Sequence, residues 1–68
     1  MSYSVEVRSD AAKIGSVMER MREWLDAQRI EPDVFRHAVD EAGVLIHLQF
    51  KVESEASAFG DAFSGRLL

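Results

Sequence analysis

The sequence predicts an α+β fold in which a small antiparallel sheet carries two helices on one face. Three observations carry that prediction. Residues 34 to 52 hold two alternating apolar runs around a polar turn with a single glycine, the pattern of a β-hairpin. Residues 3 to 8 alternate with period two, as a half-buried strand does. The segments between these strands and after the hairpin repeat their apolar residues at helical spacing.

The first strand sets Tyr3, Val5 and Val7 against Ser4, Glu6 and Arg8. Ser9-Asp10 follows as a helix N-cap, because either side chain can accept from a free backbone N–H. Ile14, Val17, Met18, Met21, Trp24, Leu25 and Gln28 then fall on one stripe, and charged residues line the other side. The pattern predicts a helix of about five turns, roughly 30 Å long, with pairs such as Glu19–Arg22 and Arg22–Asp26 along its surface. Pro32 ends it, since the residue before a proline is pushed out of the helical region.

In the hairpin, a loop from Asp40 to Gly43 pairs Val39 with Val44, His37 with Ile46 and Phe35 with Leu48. A three-residue loop from Glu41 to Gly43 would flip the second strand and put Arg36 into the core. Burial decides such a choice, and it favours the four-residue loop, closed by Gly43 at φ > 0. Ser54 is the next N-cap. Ala56, Phe59, Ala62 and Phe63 form an apolar stripe, and Gly65 is the expected C-cap. Arg66 to Leu68 is either a hydrophobic tail on that cap or a stub of strand.

The order strand, helix, strand, strand, helix places the first strand beside the third, in a three-stranded sheet of order 1-3-2. Both helices then cover Tyr3, Val5, Val7, Phe35, Val39, Val44, Ile46, Leu48 and Phe50. This arrangement resembles, at the level of fold only, the split βαβ half-sandwich of ferredoxin-like domains. Arg66 to Leu68 would be the remnant of a short fourth strand beside the first. The fold hosts many unrelated functions, so it implies none.

Sixty-eight residues make one domain. A chain of this length buries only about 60% of its unfolded surface, and small scaffolds usually recruit a staple. The absence of cysteine excludes disulfides and thiolate metal sites, which leaves self-association into a homodimer as the expected one. Eight basic and twelve acidic residues are interspersed at a net charge of −4, which argues against nucleic acid. The longest unbroken apolar run, Val44 to Ile46, is three residues, far short of the roughly 20 that cross a bilayer. Met1 to Glu6 lacks a basic region followed by an apolar core, so a cytoplasmic location is expected.

Isolated glycines exclude phosphate-binding loops, and H-E-x-x-H and C-x-x-C are absent; no cofactor is expected. His37 and His47 are the residues with neutral-range proton chemistry, but this register separates them onto opposite faces. Asp40 and Glu41 read first as turn residues. Met18, Met21 and Trp24 read first as core, although methionine also suits adaptable binding surfaces.

The informative constellation is the uncovered sheet face. Arg8, Arg36, His47, Gln49 and Lys51 gather there beside Val34, Ala38 and Leu45. No aromatic residue faces out to stack a base, and Glu6 shares the face. Mixed apolar and polar patches of this kind are common at protein interfaces. The sequence thus points first to a non-enzymatic interaction or assembly module, joined through the open face or the edge of the first strand. A domain sensing a small anionic molecule through those basic residues comes second. An enzyme built on His37 or His47 comes last.

Overall fold

The computed structural model describes residues 1–68. Strand β1 (Tyr3–Ser9) leads through a 3-10 turn (Ala11–Lys13) into helix α1 (Ile14–Gln28). The hairpin of β2 (Val34–Asp40) and β3 (Gly43–Phe50) follows, then α2 (Glu53–Phe63) and β4 (Arg66–Leu67). All strand pairs are antiparallel. The sheet has four strands in the order β2-β3-β1-β4, not the three-stranded 1-3-2 sheet that the sequence pattern predicts. Val5 pairs with Leu67 and Glu6 with Arg66, and the Leu68 N–H donates to the Ser4 carbonyl at 3.0 Å. The first half of β1 is therefore interior rather than an edge.

The reason lies in the turn out of α2. Ser64, not Gly65, takes the left-handed conformation (φ 54), and the Gly65 N–H donates back to the Gly60 carbonyl at 2.7 Å. This reversal drops the chain flat onto β1. A Cβ at Gly65 would lie 2.8 Å from Val5 Cγ1 and 3.0 Å from Val7 Cγ2. Only glycine lets the backbone cross so close, and two residues of strand then follow.

The hairpin takes the pairing expected of it, with Val39 opposite Val44, His37 opposite Ile46 and Phe35 opposite Leu48. The strands extend further into the loop than expected, so that Asp40 pairs with Gly43 across Glu41-Ala42. Asp40 Oδ1 accepts the Ala42 N–H at 2.9 Å, a side chain standing in for a backbone turn acceptor. Gly43 sits at φ 126, where a Cβ would be 2.7 Å from the Ser9 carbonyl oxygen.

Asp10 caps the 3-10 turn by accepting the Ala12 N–H, so α1 proper starts later than the pattern suggests. Its fifteen residues span about 22 Å. The helix ends before Pro32 acts on it. Arg29 turns left-handed (φ 57), its N–H donates to Asp26, and the Ile30 N–H donates to Leu25. Those two bonds form a Schellman motif, with Ile30 placed to pack on Leu25. At α2 the first helical residue is Glu53, and Val52 occupies the cap position that the sequence assigns to Ser54. Glu53 and Glu55 in its first turn favour the positive helix end instead.

The core is apolar throughout: Val5, Val7, Met21, Leu25, Val44, Ile46, Leu48, Phe50, Ala56 and Phe59. Burying each large side chain contributes about 1.5–3 kcal/mol. Trp24 meets Phe59 and Phe63 edge-on at 5.5 and 6.1 Å between ring centroids, which ties α1 to α2. Val39 departs from the expected core: it is 72% exposed. In the second half of α1, Arg22 lies over the Phe35 ring at 5.3 Å rather than pairing with Glu19 or Asp26. Its earlier residues Val17 and Arg20 stand with Ala62 and Phe63 over Val7, Arg8 and Ser9. The far end of β2 therefore has no helix above it, and His37 and Val39 meet solvent. No helix is long and apolar enough to cross a membrane.

Candidate interaction surface

Alternation along each strand sends every second side chain away from the helices. Cross-strand pairing then aligns these side chains in rows. One row runs Arg66, Glu6, His47, Arg36 across all four strands. The next holds Arg8, Leu45 and Ala38, and a third holds Ser4, Gln49 and Val34. Seven of the eight residues that the sequence singles out stand in these rows, and Lys51 follows just beyond the end of β3. Arg36, Ala38, Leu45 and His47 come together at its centre, where with Glu6 and His37 they line a depression of about 390 Å³. Arg8 lies at one end of the face. Val34, Gln49 and Lys51 extend toward the other.

The face is charged in both signs. Arg8 Nη1 donates to both carboxylate oxygens of Asp40, at 2.9 and 3.1 Å, reaching diagonally across β3. That hydrogen bond is the main reason the Asp40 carboxyl is held below its usual 3.8, with the Ala42 N–H and the Arg8 charge acting in the same direction. His47 Nδ1 lies 3.6 Å from Glu6 Oε2, both side chains being partly buried. On the other side of the ring Nε2 is 3.2 Å from Gln49 Nε2. With a proton on Nδ1, on the side of Glu6, Nε2 can accept from the Gln49 amide. Lys51 Nζ is 3.7 Å from Asp33.

Arg8, His47 and Lys51 thus each face a carboxylate already, and of the four basic side chains that the sequence singles out Arg36 has none. Two members of the face escape the sequence pattern. Arg66 joins it only because β4 forms, and a two-residue strand carries no readable alternation. Asp40 reads as a turn residue, and it is one, but its carboxylate also anchors Arg8. The sequence does place Glu6 on this side. His37 and His47 sit in different rows on opposite faces, His37 opposite Ile46 and His47 opposite Arg36. No three His, Cys, Asp or Glu side chains are gathered in a metal-ligating group. Comparison with family models, curated proteins and solved structures found nothing that matches this chain.

Proposed function

We propose that this chain is a small non-enzymatic assembly module, ferredoxin-like in its split βαβ connectivity, that associates with a second copy of itself. The observation that carries the reading is the open sheet face. It holds acids and bases in one contiguous patch, with Leu45, Ala38 and Val34 among them. A two-fold contact places a patch against itself, so the patch must be self-complementary, and one carrying both signs can be. The thin core of ten buried apolar residues supports the need for a further stabilising contact. With β4 alongside the first half of β1, the open face is favoured over the first-strand edge. An anionic ligand is the weaker reading, because three of the four basic side chains it would use face carboxylates of the chain itself.

Sedimentation velocity and light scattering from low micromolar to millimolar protein test the proposal. A dimer is expected, together with a melting temperature that rises with protein concentration, as binding to the folded state requires. Leu45→Lys is expected to raise the dissociation constant at least about tenfold. A monomer at every concentration would refute self-association. A thermal upshift with inorganic phosphate that disappears in Arg36→Ala would favour the ligand instead.

A further inference from the structure

The two edges of the sheet differ. β4 is two residues long, and an edge that short offers little to a passing strand. β2 has seven residues in seven consecutive pairs with β3, with no bulge, proline or lysine among them. Those are the features by which edge strands usually avoid pairing with another chain. Beyond Phe35 its side chains are exposed on both faces.

The direction of its free backbone groups follows from the ladder. The Leu68 N–H reaches the Ser4 carbonyl, so Ser4 faces β4 and its neighbour Val5 faces β3. The Asp33 N–H reaches the Gln49 carbonyl, so Gln49 faces β2. Alternation then points the N–H and C=O of Arg36 and Ala38 at β3, and those of Phe35, His37 and Val39 outward.

We infer that β2 pairs antiparallel with β2 of a second copy, joining the two sheets edge to edge about a two-fold axis at Ala38. This rests on self-association but goes beyond the open-face reading: the contact lies at the β2 edge, the two open faces stand side by side, and Leu45 on β3 stays outside it. A two-fold axis normal to the sheet keeps helix side with helix side, so each residue must meet one of its own face. Centring the axis on Arg36 stacks that charge on itself. Centring it on His37 leaves Arg36 opposite Ala38. Centring it on Ala38 sets Arg36 of each copy opposite Asp40 of the other, twice. Arg36 is a cation of the face without a carboxylate beside it, and Arg8 already holds the Asp40 carboxylate in place. The same register sets His37 opposite the exposed Val39 and joins them by their outward backbone groups. The small Ala38 side chains meet at the axis.

Amide hydrogen exchange of the full chain, followed across its own concentration range, tests this. The amides of His37 and Val39 are expected to gain protection as the dimer forms, whereas Phe35 falls opposite Glu41 of the partner's turn and stays unprotected. Those of Arg36 and Ala38, already bonded to β3, are protected at every concentration. Val39→Pro removes an outward N–H without touching the β3 ladder, a position where an edge strand tolerates proline. It is expected to give a folded monomer by circular dichroism. Arg36→Glu, which sets acid against Asp40, is expected to weaken the dimer about tenfold or more. A monomer throughout overturns both this inference and the self-association reading. A dimer whose His37 and Val39 amides exchange as fast as in dilute protein overturns the edge pairing alone, as does one that Val39→Pro and Arg36→Glu leave unchanged. If Val39→Pro fails to fold, the exchange pattern of the unmodified chain and Arg36→Glu decide.

Discussion

Asp40 closes the hairpin through the Ala42 N–H and holds Arg8 of the first strand at the same time. Its carboxyl is depressed in the folded chain, so the stabilisation it brings is present above its ordinary titration range. It is lost as pH falls through the folded value. Urea unfolding at a series of pH values between 7 and 2 is expected to show stability falling on the acid side. Asp40→Asn is expected to reduce that acid-side slope. Both partners are exposed, so the effect is small. The turn role of Asp40 was legible in the sequence, because aspartate before a glycine-closed turn is a local signal. Its pairing with Arg8 was not, because 32 residues separate them and only the sheet brings them together. Gly65 is a second residue whose reason is spatial. Gly65→Ala would push a methyl into Val5 and Val7. It is expected to cost about 1–3 kcal/mol, the usual range for overpacking, measured by denaturant midpoint.

At the scale of elements, the hairpin was the most legible part. Period-two alternation on both sides of a short turn specifies the register, since a one-residue slip would expose Ile46 and Leu48. Helix ends were less legible. Arg29 and Ser64 take left-handed positions without being glycine, and local propensity would not choose either. In α1, the packing of Ile30 against the core and the two Schellman bonds outweigh the strain. Arg29→Gly is therefore expected to stabilise the chain by about 0.5–1 kcal/mol, read as a higher urea midpoint at unchanged slope. A lower midpoint would mean that the Arg29 side chain contributes more than its backbone costs.

For the whole molecule, the consequential feature is asymmetry. One edge of the sheet ends in a two-residue strand, and the other presents a regular strand of seven residues. His37 and Val39 lie uncovered on that same side. The contact proposed here is the arrangement in which these features have a common purpose, and the concentration dependence of melting and of β2 amide exchange tests it at this scale.

The sequence by itself determined the class of fold, the chain order of its first five elements, the hairpin pairing and the two faces of the sheet. Each follows from periodicity, which is a local property of the backbone. Only the tertiary structure decided that β4 forms, that the first half of β1 is interior, that Val39 leaves the core and that Arg36 lacks an acidic partner. These outcomes depend on where α2 ends, which part of the sheet the helices cover and which distant side chains a row brings together. No window of sequence shorter than the whole chain contains that information.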